Sequence, residues 1–211
     1  MFVKNNINLS ILIPCYNWDI YDFIITLHNL CIEELTINSF EIICLEDASP
    51  NCFLNKNISK LKNVKYEKLT KNIGRSRIRN LMTQKAIYEW LLFIDCDSKI
   101  IGRGFIRKYM EVICQNETGR ILKTDKKDNL KKILYYGPTI YDSEKPEKDK
   151  ILHWKYGKEV ESKRKKNNFS SHHFLIRKDQ FQTKNSQQGV KFDETISSYG
   201  YEDVFFVIQN N

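Results

Sequence analysis

The chain has 211 residues, with 34 Lys+Arg against 26 Asp+Glu and a net charge of +8. At 41% hydrophobic and 12% aromatic, with only 8 Gly and 4 Pro, it can bury a sizeable core, which excludes a disordered or collagen-like chain. No apolar stretch approaches the roughly 20 residues that cross a bilayer, and the start passes from Lys4 to Pro14 without a long apolar region or small-residue cleavage site, so a cytoplasmic protein is expected.

Leu9 to Pro14 (LSILIP) predicts a buried strand, followed by a helix opened near Asn17 or Asp19, with Tyr21, Ile24, Ile25, His28, Cys31 and Ile32 at helical intervals. Phe40 to Leu45 predicts a second strand that stops at the turn formers Glu46 to Asn51. Val64 to Leu69 predicts a third strand, and Ile73 to Glu89, with Ile78, Leu81, Met82 and Ile87 on a common pattern, a long helix. Trp90 to Asp95 (WLLFID) predicts a fourth strand. With a short helix between strands two and three the order is βαβαβαβ, which implies a parallel, doubly wound sheet whose ligands bind at the carboxyl ends of the strands.

Residues 123 to 166 hold 14 Lys+Arg against 8 Asp+Glu, so this stretch supplies most of the net charge. With Gly137-Pro138, Pro146 and the run Lys163-Arg164-Lys165-Lys166, it is expected to be a solvated, partly mobile connection between two better-patterned regions. The six cysteines (15, 31, 44, 52, 96 and 114) form no C-x-x-C pair and mostly sit in apolar runs, so reduced core thiols are expected.

Acidic and turn residues collect where the strands end: Pro14 to Asn17, Glu46 to Ser49, and Asp95-Cys96-Asp97. Neither a G-x-G-x-x-G fingerprint nor a P-loop is present, so a phosphate ligand would need a metal or side-chain cations. Asp95 and Asp97, two apart in an extended segment, point to one side and suit a hard divalent ion, although a pair of this kind also serves as a helix cap or turn. Cys96 between them points the other way.

These pieces together resemble the family 2 glycosyltransferases of the GT-A fold. LSILIPCYN is similar to their first strand ending in Pro-x-Tyr-Asn, LEDASPN to V-D-D-G-S-T-D, NIGRSRIRN to N-x-G-x-x-x-A-R-N, and LLFIDCD carries the D-x-D. FSSHHFLIRKDQF and FDETISSYGYEDVFF are similar to the acceptor-side strand and the F-D-E-x-[I/F]-x-x-[W/Y]-G-x-E-D element. The fold so implied is α/β, a Rossmann-like mixed sheet flanked by helices, with a nucleotide-sugar half over residues 1–100 and an acceptor half over residues 101–211.

The resemblance implies roles at matching positions. Tyr16, with Pro14 and Asn17, lines the nucleobase pocket, and Asp47 contacts base or ribose. Asn72, Gly74, Arg75 and Arg79 face the nucleotide and sugar. Asp95 touches ribose or metal, and Asp97 is the ligand proper of a Mn²⁺ or Mg²⁺ ion. Asp203 is the general base of an inverting transfer, with Glu202 orienting it or the acceptor. The donor implied is a UDP- or GDP-sugar, and the acceptor a glycan or lipid-linked glycan.

Glu46 stands for the usual first Asp, Ala48 for Gly and Ile78 for Ala, and only eight residues follow Asp203, where the family continues further. The acceptor half is therefore expected to be short. The alternative reading is an inactive or truncated GT-A domain that only binds nucleotide or glycan. Adjacent His172 and His173 alternate sides on a strand, so at most one faces a cleft; His173 is carried as an acceptor contact beside ordinary polar packing. Trp154 and Tyr199 are carried as acceptor contacts beside core or rim roles. The basic 123–166 segment is expected to flank the acceptor side and to touch anionic lipid at the inner face of the cell membrane. Nucleic acid is not expected as a partner, because acidic residues interleave with the lysines and no recognised module is visible.

Overall fold

A computed structural model describes residues 7–35, 39–51, 54–122, 134–138, 140–148, 150–163, 169, 171–181, 190–196 and 202–208. Among them β1 (Leu9–Cys15), β2 (Phe40–Glu46), β3 (Val64–Lys68), β4 (Trp90–Ile94), β5 (Tyr135–Tyr136) and β6 (His173–Arg177) form one sheet in the order β3-β2-β1-β4-β6-β5. The helices are α1 (Tyr21–Glu34), α2 (Arg75–Lys85), α3 (Phe105–Leu122), α4 (Ile151–Glu159) and α5 (Glu202–Ile208). A 3₁₀ segment, Leu54–Lys60, stands where a short helix is expected between β2 and β3.

The first four strands are parallel, as their alternation with helices predicts. β6 is antiparallel to β4, with Ile94 opposite His173, and β5 is antiparallel to β6, so the whole sheet is mixed. The chain thus leaves the sheet after Ile94 and returns to the same edge at His173. Asp95 donates its N–H to the His172 carbonyl at 2.8 Å, which closes that edge.

Period-two alternation divides the core between the two faces of the sheet. Leu9, Ile11, Ile13, Trp90, Leu92 and Ile94 pack toward α1 and α3. Leu12, Leu91, Phe93, Phe174 and Ile176 pack toward α2 and α5, where Phe192 stacks on Phe206 with ring centres 4.2 Å apart. At about 25 cal/mol per Å² of apolar area, these two layers are the main favourable term of folding.

Local differences from the sequence expectations have clear causes. The buried stripe of α1 is Ile24, Leu27, His28, Leu30 and Cys31, while Tyr21 and Ile32 are exposed. That stripe is rotated from the expected one because Ile20 anchors the helix start, its N–H bonded to the side-chain oxygen Oδ1 of the buried Asn55 at 3.1 Å. α2 ends at Lys85, four residues short of Glu89, because Ala86 is extended. The following Ile87 donates its N–H to Glu41 Oε1 at 2.7 Å and turns its side chain to solvent. Within the expected connection 123–166 the structure has β5 and α4, which are regular elements; residues 123–133 and 164–168 lie outside the described set. Cys15, Cys31, Cys44, Cys96 and Cys114 are free thiols.

Candidate active site

The strand order reverses between β1 and β4, since β2 and β3 continue on one side of β1 while β4 and β6 lie on the other. Ligands of open α/β sheets bind outside the carboxyl ends of the strands at such a point. Pro14 helps to open it. Proline has no N–H to give to a sheet ladder, and pairing of β1 with β4 ends at Leu12 opposite Phe93, whereas pairing with β2 runs on to Cys15 opposite Glu46. Beyond that parting the chain carries Tyr16 and Asn17 on one side and Asp95 and Asp97 on the other. Tyr16 is exposed. Asn17 takes a left-handed φ of 51° and donates its N–H to Ser49 Oγ at 2.7 Å. Its side-chain oxygen is buried and has no hydrogen-bond partner among the described residues.

Asp47, at the end of β2, has both carboxylate oxygens engaged. Oδ1 accepts the Ile73 N–H at 2.7 Å and Oδ2 the Gly74 N–H at 2.9 Å, while Asn72 donates its side-chain amide to the Asp47 carbonyl at 3.1 Å. Gly74 precedes α2 with φ of 87°, a conformation that suits glycine, and it has no side chain with which to cap the helix. Asp47 supplies that cap from a neighbouring strand and sets a negative charge at the positive end of α2. Asp47, Asn72 and Gly74 therefore form one bracket that aims α2 at the site. Glu46 beside it is buried and accepts from the Tyr66 hydroxyl and, at 3.4 Å, from the Asn55 amide. Burial and the bond to Glu46 push the Tyr66 hydroxyl above its ordinary pKa.

α2 is an unusual interior helix because its buried face is largely polar: Ser76, Arg79, Asn80 and Thr83 lie inward beside Ile78 and Met82. Arg79, 3% exposed, donates from Nη2 to Asp95 Oδ1 at 2.7 Å. Its Nη1 lies 4.0 Å from Glu202 Oε1, and the guanidinium sits over the Phe192 ring, 5.4 Å from its centre. Arg75, more exposed, reaches the same Glu202 oxygen at 3.6 Å. A chain of charges thus runs from the end of β4 through α2 to the first turn of α5. Burial pushes the Asp95 carboxyl above its ordinary pKa and the Asp97 charge adds to this, while the Arg79 guanidinium opposes both. Glu202 is buried and held between two arginines, and Asp203, the next residue, is half-buried in the same turn.

Asn80 makes a connection that its place in the sequence motif did not reveal. Its amide nitrogen donates to the Phe192 carbonyl and to Glu194 Oε1, both at 2.9 Å, and its oxygen accepts the Phe192 N–H at 3.0 Å. Both main-chain groups of Phe192 are satisfied by this one side chain, and Arg77 adds a 3.8 Å ion pair to Glu194. The F-D-E segment is thereby fastened to α2. A sequence signal was available: asparagine is unfavourable inside a helix unless a fixed partner holds it, and Ser76, Asn80 and Thr83 recur at helical spacing.

Asp95 and Asp97 flank a tight turn in which Ser98 donates its N–H to the Asp95 carbonyl at 3.1 Å. Asp97 is exposed and Asp95 half-buried, while Cys96 packs on the opposite face with Cys15. The adjacent Cys96 and burial push the Cys15 thiol up. Among the described residues no group of three or more His, Cys, Asp or Glu is placed to hold a metal ion. Two carboxylates alone fit Mg²⁺ or Mn²⁺, which take one or two protein oxygens and fill their remaining positions with water and phosphate oxygens; they do not fit a structural zinc.

The residues considered for the acceptor side separate. His173 turns toward α3, where its Nδ1 meets the Tyr109 hydroxyl and its ring packs edge-on to Phe105. Burial there holds its pKa below the ordinary value. Its neighbour His172 lies beside Asp95, whose N–H its carbonyl accepts. Trp154 donates its indole N–H to the Asp142 carbonyl at 2.8 Å and lies under the Lys158 ammonium, so it is engaged in local packing. Tyr199 lies outside the described residues.

A profile of glycosyl transferase family 2 matches residues 10–183. The chain belongs to that family. Residues 1–349 of S. aureus TarS superpose with a TM-score of 0.58 at 18% identity, over 97% of this chain and 55% of that one. The same TarS fragment in complex with UDP gives 0.59 at 18% identity, again over 97% and 55%. A further TarS structure gives 0.59 at 18% identity, over 97% of this chain and 33% of that one. The chain thus spans about half the length of the TarS fragment, 55%. No curated protein matches it significantly. The family's fold is the one described above, the GT-A fold.

Proposed function

We propose that this chain transfers a sugar, with inversion, from a nucleoside diphosphate donor, a UDP- or GDP-sugar, to a glycan or lipid-linked glycan acceptor. The observation that carries the reading is the charge relay Asp95, Arg79, Glu202, because it couples the D-x-D turn to the turn that bears Asp203. The exposed Tyr16 ring is suited to stack on the base, and the unpartnered Asn17 oxygen to accept a hydrogen bond from it. Asp47 acts on the nucleotide indirectly, by holding the 72–74 bracket and the N-terminus of α2. Arg75 offsets diphosphate charge at that end of the helix.

Asp203 takes the proton of the acceptor hydroxyl as its oxygen attacks the anomeric carbon, and the bond from that carbon to the diphosphate oxygen breaks. Glu202, clamped by Arg75 and Arg79, positions Asp203 and does not itself move a proton. Asp95 and Asp97 would hold Mn²⁺ or Mg²⁺, which when bound neutralises the charge left on the departing diphosphate. On the acceptor side the histidine proposed is His172, whose carbonyl accepts the Asp95 N–H. No helix among the described residues is long and apolar enough to cross a membrane, and the setting proposed is cytoplasmic.

The test is a thermal-shift screen of UDP- and GDP-sugars with and without Mn²⁺, followed by turnover of the stabilising donor. Asp97→Asn and Asp203→Asn should each lower kcat by at least about a hundredfold without altering the melting temperature of the unliganded protein. Full turnover in either variant would overturn the assignment. Donor binding without turnover in the unaltered chain would favour the nucleotide-binding alternative.

A further inference from the structure

Asn55, in the 3₁₀ segment between β2 and β3, is fully buried, and both ends of its amide are engaged. Its Oδ1 accepts the Ile20 N–H at 3.1 Å, and its Nδ2 donates to the Trp18 carbonyl at 2.9 Å and to Glu46 Oε2 at 3.4 Å. Glu46 is held in turn by the Tyr66 hydroxyl from β3. Burying an amide costs free energy unless it is bonded, so a buried asparagine marks main chain that no regular element satisfies. That main chain is the loop from β1 to α1, which carries Tyr16 and Asn17. The loop is tied at its start by the Asp47 N–H, which donates to the Cys15 carbonyl at 2.8 Å, and then by the Asn17 N–H on Ser49 Oγ at 2.7 Å. Beyond Asn17, Asn55 holds it at both Trp18 and Ile20. Asn17 has the left-handed φ of 51°, which an L-residue keeps only when its neighbours are fixed.

We propose that Asn55 is a positioning residue for the donor nucleotide: it fixes the path of the chain from Asn17 to α1, and with it the Tyr16 ring and the Asn17 side-chain oxygen that receive the base. The proposal rests on the reading of Tyr16 and Asn17 as base contacts. Tyr16 is 53% exposed and the Asn17 oxygen is buried without a partner among the described residues, so the main chain sets where both stand. Only a side chain with both a donor and an acceptor can bond the Trp18 carbonyl and the Ile20 N–H together, which an asparagine does and an aspartate or leucine of similar size does not. A loop ordered in advance spares the ligand the cost of ordering it, so its effect falls on affinity. None of the partners of Asn55 belongs to the line of charges from Asp95 through Arg79 to Glu202, so the chemical step keeps its groups.

The experiment is calorimetric titration with UDP and with GDP, beside steady-state kinetics with the matching nucleotide-sugar. Asn55→Ala should raise the Kd of the nucleotide that binds, and the donor KM with it, at least about tenfold, while kcat at saturating donor changes less than about twofold. Tyr66→Phe, which only loosens the Glu46 anchor, should raise Kd about two- to fivefold. The titration stoichiometry counts any unfolded fraction separately from the affinity of the folded one. In a Tyr16→Ala background, the further change Asn55→Ala should weaken binding less than about threefold, because residues acting through one another are not additive. An unchanged Kd in Asn55→Ala, a lower kcat at unchanged KM, or losses that multiply fully in the double variant would each overturn the proposal. If Tyr16→Ala weakens nucleotide binding and Asn55→Ala does not, the positioning role alone fails. If the unaltered chain binds neither UDP nor GDP, the donor reading fails and the proposal with it.

Discussion

Asn80→Ala isolates the fastening of the F-D-E segment to α2. The substitution removes two bonds to the main chain of Phe192 and one to Glu194, all between 2.9 and 3.0 Å. Phe192 is fully buried, so its N–H and carbonyl would lose this partner in a region closed to water. A buried polar group left unsatisfied costs about 1–3 kcal/mol, and the bond to the exposed Glu194 carboxylate adds well under 1. Alanine returns about 0.5 kcal/mol through its better helix propensity. With two such groups on Phe192 the net loss is about 2–6 kcal/mol of a total stability on the order of 5–15 kcal/mol, seen as a fall of roughly 5–20 °C in melting temperature. Urea titration supplies the free energy, and turnover supplies a second readout. Since residues 190–194 lead toward α5, kcat should drop while the KM for the donor changes little. A stability within about 0.5 kcal/mol of the unaltered chain, or a change confined to donor KM, would show that Asn80 fastens nothing of consequence.

Ala48 occupies a left-handed conformation with φ of 54°. An L-residue loses about 1–2 kcal/mol there and glycine gives back part of the gain through unfolded-state entropy, so Ala48→Gly should stabilise the chain by about 0.5–1 kcal/mol in urea; no gain would refute the strain. His173 is buried with its pKa below the usual 6.5. As the pH falls through 6.5 the unfolded chain takes up a proton that the folded imidazole refuses, so stability should fall on acidification, by at most about 1.4 kcal/mol per pH unit, until the folded value is reached. His173→Phe should remove that component when urea melts at pH 7.5 and 5.5 are compared, and an unchanged difference would refute it.

The first four strands were legible to within about one residue at each end, because β1, β2 and β4 are largely apolar runs closed by turn formers and β3 alternates Val64 and Tyr66 with charged residues. The helices were less so. Tyr21 and Ile32 fit a helical period as well as Leu27 and Leu30 do, and only the contact of Ile20 with Asn55 decides which stripe turns inward. Ile87 fits the period of α2 but follows its end, since Glu41 on β2 takes the Ile87 N–H into another bond. At the site, the D-x-D turn and the arginines stood out by type and spacing. Asn80 did not, because its partners lie more than a hundred residues away, |i−j| being 112 and 114.

The sequence by itself determined the parallel core of β1 to β4, the carboxylates at the carboxyl ends of its strands, and the family, because these depend on local periodicity and on short motifs in order. Tertiary structure alone decided what the charged and polar groups do. Asp47 caps a helix from a neighbouring strand, Arg79 links Asp95 to Glu202, His173 turns toward α3, and Asn80 fastens Phe192 to α2. A hydrophobic pattern specifies burial along one element, whereas a hydrogen bond or ion pair specifies a partner in three dimensions. The nature of that partner is set by which strand ends and helix faces the fold brings together.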